Sequence, residues 1–145
     1  MMRSDFYHTF FYDNLVGNVR LVEDDLYVML VTDEYKPDFD EHKRRKDVTY
    51  EVKGEGYEAG GKLLVNKTAN YDSIEGAGFL DADDVVWENS DITAHAAVIY
   101  KRRGGNKAAD ELILYVDFGK AFVSMNGPLA VRWDDDGEFA VSAPN

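Results

Sequence analysis

Large apolar groups crowd the start of the chain at helical spacing. Phe6, Tyr7, Phe10, Phe11 and Leu15 fall on one side of a helical wheel, with Ser4 placed to cap and Gly17 to stop. The spacing predicts a short N-terminal α-helix within residues 1–18. The next apolar run, "LYVMLV" at residues 26–31, has no polar position at all. A strand of that kind is expected in the middle of a core, covered on both faces. A turn-rich segment, "TDEYKPDFD", follows it, and then "DEHKRRKDV", where Asp40 is placed to cap a single helical turn.

Beyond Val48 the pattern changes to short β segments punctuated by glycine and aspartate: "TYEVK", "GKLLVNKT", "AGFLDADDVVW", "DITAHAAVIYKR", "ELILYVDFG", "PLAVRW" and "EFAVS". Their spacing predicts an antiparallel sandwich or barrel-like domain. In "DITAHAAVIY" a period of two sends Ile92, Ala94, Ala96, Val98 and Tyr100 to one face and Thr93, His95, Ala97 and Ile99 to the other. "RRGGNKAADE" at residues 102–111 reads as a hairpin tip, and "DDDGE" at residues 134–138 as a tight turn closing the last hairpin. The expected fold is mainly β, a single domain over residues 1–145, with the helix in residues 1–18 and the β domain in 26–142.

Composition agrees with one folded core. A chain of 145 residues, 45% hydrophobic and 13% aromatic, is long enough for one domain and has no disordered character. It has no cysteine, which excludes disulfides, thiolate catalysis and Cys-ligated zinc. The net charge of −12 sets the average surface potential against nucleic acid and anionic membrane, so neither is an expected partner. The opening "MMRSDFYHTFF" lacks the pattern of a secretory signal, and no run is long enough for a helical membrane span. A soluble product made in a cytoplasm is the expectation.

Candidate chemistry is sparse. "GYEAGGKL" at residues 56–63 matches the core of a P-loop but carries Leu63 where the magnesium-holding Ser or Thr belongs, and a strand-like run follows it in place of a helix. Its glycines are read as turn residues. Asp81, Asp83, Asp84, Glu88 and residues 134–136 are the carboxylates that a glycosidase pair or a calcium site would draw on. Neither EF-hand spacing nor an evident cleft accompanies them, and turn formation explains them better. His8, His42 and His95 have no ligand spacing, the serines no nucleophile elbow, and "NKT" at residues 66–68 is a glycosylation acceptor only by pattern. Trp87 and Trp133 invite a carbohydrate platform but fit core packing more simply. The chain is expected to be neither an enzyme nor a cofactor or metal protein.

The run "VTYEVKGEGYEAGGKLLVNKTANYD", with "YVMLVTDEYKPDFDEH" before it and "LDADDVVWENSDITAHAAVIYK", "LILYVDFG" and "MNGPLAVRWDDDGEFAVS" after it, resembles a family of small virion structural proteins of tailed bacteriophages. The resemblance spans residues 26–141 and rests on the order of the blocks. It implies a non-enzymatic virion component of capsid decoration or head-fibre type. On this reading the protein sits on the capsid surface, bridges and stabilises major capsid protein subunits, and is displayed as a homo-oligomer, a trimer among the arrangements expected. A tail or fibre-associated component contacting the host surface is the alternative. Two segments are candidates for partner contact. One is the apolar N-terminus with Phe6, Phe10 and Phe11; the other is the basic loop Lys43, Arg44, Arg45 and Lys46, a local positive cluster on an acidic protein.

Overall fold

The computed structural model describes residues 3–133 and 139–142, with side chains to residue 132. Eight strands and one helix follow in the order β1 (Arg3–Phe6), α1 (His8–Leu15), β2 (Leu26–Val31), β3 (Lys62–Leu63), β4 (Thr68–Asp72), β5 (Ala77–Asp81), β6 (Val85–Lys101), β7 (Leu112–Trp133) and β8 (Phe139–Ser142). The main sheet is antiparallel, ordered β1-β7-β6-β2-β3, with β8 also pairing β7; β4 and β5 form a separate hairpin. The fold is mainly β and sandwich-like. Its path runs from edge strand β1 to edge strand β3, so the sheet does not close into a barrel.

Two very long strands organise it. β6 and β7 pair from Val85–Val131 at one end to Tyr100–Leu112 at the other. The sequence suggested four shorter segments here, because "ENS", Gly119 and "NGP" read as breaks. Instead the chain passes through them as irregularities: Asn89 and Asn126 have φ of 51° each and Gly119 has 81°, and the ladder slips between Trp87 and Ser90 and again to Ile92. Such bulges bend a strand without ending it.

Another slip corrects the expected alternation. The register shifts between Ala94 and Ala96. Ile92 and Ala94 therefore pack in the same cluster as Ala97 and Ile99, while Ala96, Val98 and Tyr100 join a second cluster. The pairing steps from Ala94–Phe122 to Ala96–Asp117, two residues of β6 against five of β7, and the side chains beyond this irregularity change face.

The first cluster draws on both ends of the β6–β7 hairpin, with Val85, Trp87, Leu129 and Val131 from one end and Ile99, Ile113 and Val116 from the other. Leu26, Val28 and Leu30 of β2 and Phe10 of α1 also belong to it. The second cluster contains Met29 and Val31 of β2 with Tyr7, Tyr35 and Tyr100, covered by Phe39 and Val48. β2 is thus buried on both faces, as its uninterrupted apolar run requires.

The N-terminus departs from expectation. Ser4 lies in β1, which pairs with β7 through Arg3–Asp117 to Phe6–Leu114, and the helix begins at His8 with Tyr7 at its N-cap and no side-chain cap. Eight residues are too few for a helix to stand alone. It is held by Tyr7, fully buried, whose N–H donates to the Ile113 carbonyl at 3.0 Å, and by Phe10. Burying a side chain of that size contributes about 1.5–3 kcal/mol. Gly17 ends the helix with φ of 79°, as expected. At the turn expected from Asp40 the cap is Asp38, whose Oδ1 accepts from the Asp40 and Glu41 N–H groups at 3.1 Å each while its carbonyl accepts from the His42 N–H at 2.8 Å, and a separate 3₁₀ turn follows over Arg45–Asp47.

The glycine-rich loop is explained by close packing. A Cβ on Gly61 would lie 1.9 Å from the Val28 carbonyl oxygen, and one on Gly54 2.3 Å from that of Asp91. Only glycine lets this loop lie flat against β2 and β6. No helix follows it, so nothing of the phosphate-binding geometry of a P-loop is assembled.

Candidate docking surface

The N-terminal candidate residues do not act as one group. Phe10 is 5% exposed and belongs to the core, so it is withdrawn from the contact set. Phe6 and Phe11 are 40% and 53% exposed, and the three rings form a cluster with centroids 5.0–5.9 Å apart. Phe10 therefore anchors from below what Phe6 and Phe11 present.

The helix and its C-cap add residues outside the candidate contact set. Tyr12, Leu15 and Val16 are 64%, 85% and 52% exposed. Leu15 shares a side of the helical wheel with Phe10, yet the second residue the helix buries is Asp13. Its side chain is 1% exposed and accepts from Asn18 Nδ2 at 3.2 Å and Thr9 Oγ1 at 3.4 Å, while its carbonyl accepts from the N–H groups of Asn18 and Val19. The signal was available in principle: two overlapping i, i+4 pairs, Phe11–Leu15 and Tyr12–Val16, exceed what one buried stripe of a two-turn helix uses.

The backing of this face is rigid. Tyr7 and Tyr35 share a hydrogen bond of 2.9 Å, and Tyr35 Oη lies 2.9 Å from His42 Nδ1, which also accepts from the Asp38 N–H at 3.1 Å. Burial, with Tyr115 and the acids Asp47 and Asp38 adding to it against the bond from Tyr7, pushes Tyr35 up to about 12. Burial likewise raises Tyr7, helped by Tyr35. Both phenols stay neutral in the working range, so the chain of hydrogen bonds persists. His8 ties the helix start to the next loop: its N–H donates to the Phe39 carbonyl at 2.9 Å and its Nδ1 meets Asp40 Oδ1 at 2.5 Å.

That loop carries the basic candidates, and it also divides. Arg45 is 6% exposed, its Nη1 3.3 Å from Oδ2 of the fully buried Asp110 and its guanidinium 5.1 Å from the centre of the Tyr100 ring. It is a structural cation, and its inclusion among partner contacts is corrected. Lys43 and Lys46 are exposed and Arg44 half-buried. Their backbones are bound to the tip of the β6–β7 hairpin, with Lys43 accepting from the Leu112 N–H at 3.1 Å and Lys46 donating to the Lys107 carbonyl at 3.2 Å. Asp47 holds the turn by accepting from the Lys43 and Arg44 N–H groups at 3.0 Å each. Partial burial opposes its ionisation, but those two bonds and the charge of Lys46 prevail and hold its pKa below the ordinary carboxylate value.

The remaining candidates have local explanations. Asp83 accepts from Asn66 at 2.5 Å, Asp81 from the Ala82 N–H at 2.8 Å, and Asp84 lies 3.9 Å from Arg132. Among the described residues, no three acids or histidines gather as a metal site would require. Residues 134–138 lie outside the described residues, as does the side chain of Trp133; Trp87, 1% exposed, is a core residue and offers no stacking platform. His95 sits in β6, half-buried, with Nε2 4.0 Å from Asp33. No helix among the described residues is long and apolar enough to cross a membrane.

No protein-family model, curated protein or solved structure matches the chain.

Proposed function

We propose that this protein is a non-enzymatic bacteriophage virion component, an outer capsid decoration protein that bridges and stabilises major capsid subunits. The observation that carries the docking part of this reading is the outward face of α1, where Phe11, Tyr12, Leu15 and Val16 stay in water on a rigidly backed helix. Contiguous apolar surface of this kind is characteristic of an interaction site. The virion part rests on the resemblance of residues 26–141 to small phage structural proteins.

The mechanism is adhesion. Covering Phe6 and the α1 face at a seam between capsid subunits removes apolar area from water, and the neighbouring Lys43, Arg44 and Lys46 supply charge that orients the approach. The acidic remainder of the surface faces outward, away from packaged nucleic acid. Homo-oligomeric display follows capsid symmetry.

Cryo-electron microscopy of the parent virion tests this directly. Many copies on the capsid exterior, contacting through α1, are expected. A few copies at the tail or a vertex would replace decoration by an attachment role, and absence from the particle would overturn the virion reading. The paired variant Phe11→Asp with Leu15→Asp should lose particle association while melting within a few degrees of wild type, since exposed substitutions usually change stability by no more than about 0.5 kcal/mol.

A further inference from the structure

The main sheet ends in an open edge at β1. Strand β7 pairs one side of it, and no strand among the described residues pairs the other. All four of its residues are exposed. The opposite end of the sheet, β3, is only two residues long, so β1 is the longer template. An edge of this kind presents unpaired N–H and C=O groups to which another chain can add a strand.

The register tells which groups are free. Arg3 pairs with Asp117 and Asp5 with Tyr115, and Tyr7, two residues further along, donates its N–H to the Ile113 carbonyl at 3.0 Å. Backbone groups alternate in direction along an antiparallel strand. Arg3, Asp5 and Tyr7 therefore spend theirs on β7, while the N–H and C=O of Ser4 and Phe6 point away from it. Side chains alternate between faces as well, Arg3 and Asp5 on one and Ser4 and Phe6 on the other.

Charge selects the occupant. Arg3 and Asp5 flank Ser4, with side chains 74% and 48% exposed and Arg3 Nη2 3.9 Å from Asp5 Oδ2. A pair so long and so exposed contributes little and leaves both groups available to a partner. A second β1, laid antiparallel about Ser4, sets Arg3 against Asp5 of the second copy and Asp5 against its Arg3. These are the closely spaced pairs of an antiparallel ladder, where opposite charges attract most. A parallel copy would set Arg3 against Arg3 and Asp5 against Asp5, and like charges directly opposite are destabilising.

Backbone bonding agrees with the same axis. With the Ser4 N–H and C=O both pointing outward, the two Ser4 residues can exchange two N–H···O bonds across it. We propose that β1 is a homodimer interface, through which two copies join antiparallel about Ser4 into one continuous sheet with a quartet of alternating Arg3 and Asp5 charges on one face. The contact is isologous and closes at two copies. It does not depend on the capsid reading, which rests on α1. A strand of four residues buries less than the about 1,200 Å² of a standard interface, so the dimer is a weak one.

Sedimentation equilibrium of the full chain tests the proposal, at about 0.15 M salt to screen the general repulsion between two chains of charge −12. A monomer–dimer equilibrium with Kd on the order of 100 µM is expected. Arg3→Asp and Asp5→Arg each put like charges at both crossings and should weaken self-association at least about tenfold. Their melting temperatures should stay at the wild-type value, because both side chains are exposed. Mixed in equal amounts, the two variants become complementary and should form a heterodimer with the wild-type Kd; the double variant Arg3→Asp with Asp5→Arg should again dimerise alone. A wild-type chain that stays monomeric up to about 1 mM would overturn the interface. Single variants that associate like wild type, or a mixture and double variant that fail to recover, would overturn the pairing about Ser4.

Discussion

Replacing Arg45 by alanine strips the cation from a carboxylate with no access to water. Asp110 is fully buried and its two oxygens are committed, Oδ2 to Arg45 at 3.3 Å and Oδ1 to the Arg103 N–H at 2.8 Å. Removing one partner of a buried ion pair costs about 3–5 kcal/mol, because the other charge is left unpaired. The single contact at 3.3 Å argues for the lower end of that range. Loss of the stacking on Tyr100 adds at most about 1–2 kcal/mol. The total is about 3–5 kcal/mol, a fall in Tm of roughly 6–20 °C at about 2–4 °C per kcal/mol. The assay is urea unfolding of Arg45→Ala beside Arg44→Ala and Lys46→Ala, whose side chains reach solvent and whose loss should cost less than about 1 kcal/mol. The double variant Arg45→Met with Asp110→Asn should recover part of the loss, since it leaves no lone charge behind. If Arg45→Ala unfolds within about 1 kcal/mol of Arg44→Ala, the pair is not structural and Arg45 returns to the surface contact set.

Gly61→Ala should destabilise by about 3 kcal/mol or more through forced backbone movement, because its Cβ would lie 1.9 Å from the Val28 oxygen. Gly104→Ala, at φ of 94° in open space, should cost only the left-handed strain of about 1–2 kcal/mol; chemical denaturation of both separates packing from conformation. Ser124→Ala should cost about 1–3 kcal/mol, since Ser124 Oγ accepts from the Ile92 N–H at 3.2 Å and bonds Ser90 Oγ at 2.7 Å inside the bulged stretch of β6. Asp47 has a folded pKa below its ordinary 3.8, so its contribution is complete above that value and is lost as pH falls through the folded pKa. The stability gap between wild type and Asp47→Asn should therefore be constant at neutral pH and shrink below about pH 4. At the alkaline end, burial moves Tyr35, Tyr100 and Tyr115 from 10.0 up to about 12 and raises Tyr7 and Tyr57 as well. Stability present below pH 10 should fall as pH rises towards 12, and absorbance at about 295 nm should show these five tyrosines ionising with unfolding.

Much of the β architecture was legible locally. The all-apolar run of β2 called for burial on both faces, and β2 lies between β6 and β3 with a cluster on each side. Gly17 ended its helix, and the near-P-loop was recognised as a loop because a strand-like run followed it. What the sequence could not reveal is where a break signal is only a bend. Asn89, Gly119 and Asn126 carry turn-forming residue types, yet cross-strand pairing on either side holds β6 and β7 continuous through them.

The candidate site shows the same division more sharply. Composition and charge order determined that an acidic chain would carry one basic loop and one aromatic N-terminus. Which of their members reach solvent was decided by contacts distant in sequence. Arg45 turns inward because Asp110, 65 residues away, waits there. Phe10 turns inward because the cluster built from β2, β6 and β7 offers it a core, while Asp13, and not Leu15, is the other residue the helix buries. A helical wheel specifies which residues share a face. Only the sheet, assembled from pairings across the whole chain, determines which face is covered, because burial is a property of the neighbours and not of the residue.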